Sequence, residues 1–317
     1  MARRYGKVRY TRRTEGTIRR SEKMTVIMIV AATIVLFAII SVIIGIALGD
    51  KADKYPTDKP KYEFSFEPYR SGEKTVKSVD AYAYTLGTDA RGYINNGVGD
   101  LSFCLRDIEG RLAYNSFVMS SLGIVQEENG YDLIEEMVYV HSLGGYACAY
   151  IYASSFTCED AYLREVYKTY EIALMREAAE CGVDDILILG LDVSAENIDE
   201  VEKYVSDASL AAGKAPLGVA VSRELLLMTE QDIYLASRVG AVCDYLALDL
   251  RAMSVDADKV EESTEDGDVA ISELDATLAE LEYYVEAYKM RVVFSKSNAS
   301  LYDSALDLGV SNIQIVD

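Results

Sequence analysis

From Val76 to Asp317 the chain alternates short β-forming runs with amphipathic helical stretches, and no other feature limits its fold so tightly. The runs are VDAYAYTL (79–86), LSFCLR (101–106), YACAYIYA (146–153), DILILGL (185–191), PLGVAVS (216–222), YLALDL (245–250), RVVFS (291–295) and NIQIV (312–316). Helical spacing of apolar residues falls at about 130–143, 159–181, 195–212, 229–241, 270–289 and 298–309. In the second helix Leu163, Val166, Tyr167, Tyr170, Leu174 and Ala178 form one stripe. Strands that run in the same direction need long crossovers, so this order specifies a parallel sheet covered by helices. Eight such units predict a closed (β/α)8 barrel of the TIM type, incomplete at its last helix. The first crossover, GTDARGYINNGVGD, is too rich in Gly and Asn for a good helix. An open doubly wound sheet is the alternative, although it gives no reason for eight strands.

Ahead of this domain the composition changes twice. Met24 to Gly49 contains no charged side chain, and about 20 apolar residues suffice to cross a bilayer. The expected anchor is therefore one transmembrane helix over residues 24–49, with the lipid bilayer as its partner. A cleaved signal peptide is the alternative, but its apolar region is normally shorter, about 7–15 residues. Residues 1–23 hold nine of the 31 Lys and Arg against Glu15 and Glu22, which places this tail in the cytoplasm by the positive-inside rule. Residues 50–75 carry three of the four prolines and mixed charge, the composition of a stalk. The body at 76–317 then lies outside the plasma membrane of a single-pass protein.

Everything after Gly49 holds 22 basic residues against 50 acidic ones, so phosphate backbones are repelled and nucleic acid is not an expected partner. The five cysteines show no C-x-x-C spacing, and neither a metal site nor a disulfide framework is indicated. His141 is the only histidine, which removes Ser-His-Asp and Cys-His catalysis and a histidine-rich metal centre. No glycine-rich phosphate cradle follows the first strand, and no cofactor is expected. The acidic segment VDADKVEESTEDGD (255–268) lacks EF-hand spacing and is expected to be a solvated loop. NAS at 298–300 has the form of a glycosylation sequon, a pattern that arises readily by chance.

In a barrel the chemistry gathers at the C-terminal strand ends, and a period of two decides which side chains look inward. By that parity Tyr82 and Tyr84, Ser102, Cys104 and Arg106, Ile188, Gly190 and Asp192, and Ala247, Asp249 and Arg251 face the axis. Asp107 and Glu109 follow the second strand, in RDIEG. That stretch is equally suited to a turn, since Gly110 accepts the positive φ that lets RLAYNS fold back.

The segments VKSVDAYAYTL, LSFCLRDIEGRLAYNS, ACAYIYASSFTCEDAYL and YEIALMREAAECGVDDILILGLDVS resemble, in order and spacing, a family of glycosyl hydrolase-like barrels, often membrane-anchored, from Firmicutes. The resemblance spans most of 76–317 and implies a barrel directed at cell-envelope or exopolysaccharide glycan. It also marks departures. The family's acid on the second strand falls on Cys104, while its Lys-Asp pair is kept as Arg106 and Asp107. Asp184, Asp185 and Ile186 match on the fourth strand, but the inward acid falls on Leu189 and the arginine on Asp192. After DYL the sixth strand reads ALDLRAM, where members carry a different polar motif.

Glycoside hydrolysis needs two carboxyl groups flanking the bond. Asp192 and Asp249 are the best remaining pair, with Asp107 and Glu109 as further candidates. Asp192 could instead cap a helix, and Asp249 could form an ion pair with Arg251 or Arg106. With no Trp in the chain, tyrosines must supply any sugar platform, foremost Tyr82, Tyr84, Tyr150 and Tyr152, with Arg106 and Arg251 as polar contacts. Three readings stay open: a degenerate barrel that binds glycan, an active hydrolase with relocated acids, and a structural envelope protein.

Overall fold

The computed structural model describes residues 74, 76–84, 100–121, 130–227, 229–253, 260–264, 267–271, 274–275, 277–279 and 290–317. The tail, the apolar run 24–49, most of the stalk and the first crossover lie outside the described residues. Among those described, no helix is long and apolar enough to cross a membrane.

Eight parallel strands close into a ring. They are β1 (Asp80–Ala83), β2 (Asp100–Arg106), β3 (Tyr146–Tyr152), β4 (Asp185–Leu189), β5 (Leu217–Ser222), β6 (Tyr245–Asp249), β9 (Arg291–Ser295) and β10 (Ile313–Val316). All eight predicted strands are present, and the order around the ring is β1, β10, β9, β6, β5, β4, β3, β2. Closure comes from β1, which pairs with β10 through Asp80 and Ile313 and with β2 through Ala81 and Asp100. The open-sheet alternative is thereby excluded. Outside the ring lie α1 (Phe117–Ser121), α2 (Leu133–Ser142), α3 (Ala161–Cys181), α4 (Ile198–Ala212), α5 (Arg223–Leu227), α6 (Glu230–Gly240) and α7 (Leu301–Asp307). Asp132, Asp160 and Thr229 cap α2, α3 and α6 by accepting backbone N–H groups of the first turn.

One expected loop is ordered otherwise. Within 255–268 the structure has β7 (Val260–Thr264), which pairs antiparallel with β8 (Gly267–Ile271), outside the barrel. The alternation of V-E-E-S-T with G-D-V-A-I supports a hairpin, and the density of acids hid it.

Two apolar layers separate cleanly. One combines strand residues such as Phe103, Ile151, Ile188 and Phe294 with helix residues such as Leu174, Val205 and Ala236. The other contains strand residues almost alone: Cys104, Tyr150, Tyr152, Leu187, Leu189, Ala220, Tyr245, Ala247, Val293 and Val316 fill the interior. Three parity assignments are corrected by this division. On β4 the inward residues are Leu187 and Leu189, whereas Ile188 faces the helices; DILIL is apolar on both sides, so its period could not choose. On β1 the small Ala81 and Ala83 share the inward side, and Tyr84 packs outward on Phe103 and Tyr131 at centroid distances of 4.7 and 5.7 Å. Tyr82 shares Tyr84's side of the strand. On β2 the register slips between Cys104 and Arg106, and the bulge turns Arg106 out of the barrel.

Arg106 then reorganises the helix beneath it. Its guanidinium bonds the buried Glu171 of α3 at 2.7 Å, and Glu171 also accepts from Ser155 Oγ and Tyr204 Oη at 2.7 and 3.0 Å. The buried face of α3 is accordingly Lys168, Glu171, Leu174, Met175 and Ala178, while Leu163, Val166 and Tyr167 of the expected stripe are 43%, 44% and 37% exposed. Burial raises the Glu171 carboxyl above its usual range, against the opposing pull of its hydroxyl donors and Arg106.

The N-terminal half of the interior is polar and self-contained. Arg291, fully buried, grips Asp185 through two N–H···O bonds of 3.0 and 2.8 Å, and also donates to Tyr245 Oη and Gln314 Oε1 at 2.8 and 2.9 Å. Gln314 passes the network to Ser102 at 2.8 Å. Gly218 makes room for the Tyr245 ring, since a Cβ there would stand 2.2 Å from it. Breaking a buried pair on one side strands a charge. Asp185→Ala should therefore cost about 3–5 kcal/mol in urea denaturation, and Asp185→Leu with Arg291→Met much less. Equal losses in the two variants would show that the pair is not what the interior depends on.

Candidate functional site

At the C-terminal rim Asp249 ends β6 and Arg251 follows two residues later. The guanidinium holds the carboxylate with two bonds of 2.8 and 2.6 Å, and the Arg251 backbone N–H adds a third of 3.1 Å. The same guanidinium lies 4.8 Å from the Tyr152 ring centroid. Arg251 and Asp249 border a cleft of about 480 Å³, lined also by Ile108, Ser222, Arg223, Glu224 and Met253. Glu224 in this cleft makes no ion pair or hydrogen bond among the described residues. A second cavity of about 540 Å³ lies away from the rim, between α1, α2 and α3, beside Glu177 and Phe117.

Tyr150 and Tyr152 point up the axis and are almost fully buried, so neither offers a stacking platform. Their hydroxyls meet Asp317, directly after β10: Tyr150 Oη donates to Asp317 Oδ2 at 3.2 Å and Tyr152 Oη to the Asp317 carbonyl at 3.1 Å. The Asp317 backbone N–H donates to Tyr150 Oη at 3.0 Å, and Lys296, just past β9, pairs with the Asp317 carboxylate. Burial pushes the nearby Cys104 thiol up to about 12. It also raises the Tyr150 hydroxyl well above its ordinary value.

The other sequence candidates go elsewhere. Asp107 accepts from the backbone N–H groups of Glu109 and Arg111 at 2.9 and 2.8 Å and from the Arg111 guanidinium at 2.8 Å. Glu109 pairs with Arg111 at 2.9 Å. Asp107 to Gly110 is thus a solvated turn at the end of β2, closed by the bridge between the buried Arg106 and Leu112. Gly110 holds φ +84°, and a Cβ there would approach the Arg106 guanidinium to 2.8 Å, so two constraints demand glycine. Arg106 belongs to the helix layer, and Tyr82 and Tyr84 face outward with it.

Asp192 lies exposed beyond β4, and its carbonyl rather than its carboxylate accepts from Asn197 Nδ2 at 2.9 Å. It does not cap α4, whose N-cap residue is Asn197. The structure therefore brings Asp249, Arg251 and Tyr152 together and leaves Asp107, Glu109 and Arg106 outside that group. Sequence reasoning missed Glu224, Lys296 and Asp317. Their position just past strand ends was the available signal, because a barrel collects such residues at one mouth.

No protein-family model matches the sequence, and no curated relative matches it. Among solved structures, a candidate α-L-fucosidase from Bacteroides thetaiotaomicron superposes with TM-score 0.50 at 10% identity, over 83% of this chain and 91% of that one. The Bacillus cereus spore cortex-lytic enzyme SleL gives TM-score 0.41 at 13% identity, over 71% of this chain and 51% of that one. D-psicose 3-epimerase gives TM-score 0.42 at 11% identity, over 77% and 84%. At 10% identity the likeness to the fucosidase-type structure supports the barrel and nothing finer. The fold is that of a TIM-type β/α barrel.

Thiol chemistry reports directly on how tightly the mouth is filled. The thiolate is the nucleophile, so a thiol held at about 12 is inert at pH 8. Iodoacetamide on the native protein should label the partly exposed Cys158 first and leave Cys104, Cys148 and Cys243 until urea is added. Native labelling of Cys104 as fast as Cys158 would mean that the mouth is open.

Proposed function

We propose that this chain is a membrane-anchored barrel that binds cell-envelope or exopolysaccharide glycan at its C-terminal rim without cleaving it. One observation carries the non-catalytic half of this reading: the Asp249 carboxylate is held bidentately by Arg251. Glycoside hydrolysis needs one carboxyl as acid and another as base or nucleophile across the bond. Among the described residues the rim cleft is lined by two carboxylates, Glu224 and Asp249, and with Asp249 committed one of these is left.

Support for a polyhydroxylated ligand is the lining itself. Ser222, Arg223, Glu224 and Arg251 offer both donors and acceptors beside the apolar Ile108 and Met253, the mixture that suits a sugar's hydroxyl edge and its C–H face. The buried Tyr152 ring acts here as the floor beneath Arg251 rather than as a platform. Anchoring rests on the uncharged run 24–49 and the basic residues before it, which together favour a cytoplasmic tail and an external barrel.

Affinity electrophoresis of the full chain in detergent, through gels containing envelope polysaccharides, tests binding. Retardation by at least one glycan is expected, and Arg251→Ala should weaken it by about tenfold or more, as the loss of a charged contact in a cleft does. The same incubations should release no reducing sugar. Migration unaffected by every glycan removes the binding reading, and release of reducing ends that Glu224→Gln abolishes would establish a hydrolase in its place.

A further inference from the structure

The rim contains a subsite whose occupant is part of the chain itself. Asp317 is 44% exposed at its side chain, whereas the groups it satisfies are deep: Tyr150 is fully buried and Tyr152 nearly so. Tyr150 Oη meets the Asp317 carboxylate and Tyr152 Oη its main-chain oxygen, while Lys296, 35% exposed and just past β9, closes on the carboxylate. The arrangement is a carboxylate receptor made of one ammonium and a buried phenol, on the axis of the barrel at the end where barrels take their ligands. Its neighbour is the rim cleft, because Arg251 both lies over the Tyr152 ring and lines that cleft.

We infer that Lys296 and Tyr150 form a carboxylate-binding subsite, filled in this structure by the Asp317 side chain, that receives the carboxylate of an acidic sugar when Asp317 swings aside. The inference rests on the glycan-binding reading and names its substrate class: a uronic acid or similar carboxylated sugar, with its ring over the cleft beside Arg251. Three features make the exchange physically reasonable. Asp317 follows the last strand rather than lying within it, so its displacement breaks no strand pairing. The incoming carboxylate replaces one of the same charge, so Lys296 is never left without a counter-ion. Released into water, the Asp317 carboxylate regains its hydration. The subsite therefore selects by competition: a neutral sugar cannot displace Asp317, and a carboxylated one can.

Calorimetric titration of the full chain in detergent with D-glucuronate, D-glucose and acetate tests this, using the wild type, Asp317→Ala, and Asp317→Ala combined with Lys296→Gln. A preserved near-ultraviolet circular dichroism spectrum and melting temperature verify that each variant is folded. Asp317→Ala should bind glucuronate about tenfold more tightly than the wild type, equivalent to ~1.4 kcal/mol, and the Lys296→Gln addition should abolish the gain. Glucose binding should respond to neither change. Acetate binding to Asp317→Ala that requires Lys296, without any affinity for either sugar, would keep the carboxylate subsite and defeat the glycan reading. An unchanged or weakened glucuronate affinity in Asp317→Ala, together with no acetate binding, would overturn the subsite itself.

Discussion

A guanidinium sealed inside the ring, Arg291 held by Asp185, is the interaction on which the remaining structure depends. The two residues come from β9 and β4, which β6 and β5 separate in the ring, so the pair spans the interior rather than joining neighbours. Taking two charges from water costs several kcal/mol each, and only good geometry with further hydrogen bonds recovers it. Both conditions are met: the grip is bidentate, and Tyr245 and Gln314 take other contacts. The pair then acts as a gauge for the ring. Because Arg291 is aligned with Ala247 and Asp185 with Cys148, a slip of either strand would separate the charges in a medium that cannot solvate them.

The same motif, one cation committed to one carboxylate, recurs at every level of the domain. Arg106 and Glu171 fasten α3 to the bulged end of β2, Arg251 and Asp249 fix the rim, and Lys296 holds Asp317 between the ends of the adjacent β9 and β10. In a chain of net charge −21 basic side chains are scarce, and Arg291 and Arg106 stand where Asp185 and Glu171 would otherwise be buried alone. That distribution has a functional consequence. A carboxylate clamped between two N–H donors is a constrained nucleophile, whereas a clamped ion pair is a rigid and well-oriented surface for hydroxyl groups. This is the physical basis of the proposed recognition role of the rim.

The strands were legible because their runs are short, apolar and bounded by charge or glycine, and eight of them admit few arrangements. Which way the side chains pointed was less legible. A strand such as DILIL is apolar on both faces and gives no phase, and a bulge is invisible in a pattern that assumes strict alternation, which is why Arg106 was expected inside. The helix stripe holds at Leu174 and Ala178 and fails at Leu163, Val166 and Tyr167 for a connected reason: once Arg106 turns outward, α3 must present Glu171 to it, and the first turns of the stripe face solvent. At the rim, the ion pair of Asp249 with Arg251 was foreseeable from two residues of spacing. Lys296 and Asp317 were not, because each looks like an ordinary polar residue after a strand until the ring closes and the tyrosines of β3 reach Asp317 from across the interior.

The likeness to solved structures carries no chemistry, so the account of function stands on the committed rim carboxylate and the cleft beside it. Its central claim is recognition without cleavage. The most direct measurement is a crystal structure of the chain soaked with an acidic oligosaccharide long enough to cross the rim. The account predicts an uncut chain of sugar lying against Arg251 and Glu224 with the Asp249–Arg251 pair intact. Density for a cleaved product, or an unbroken ligand seated away from the C-terminal rim, would contradict it.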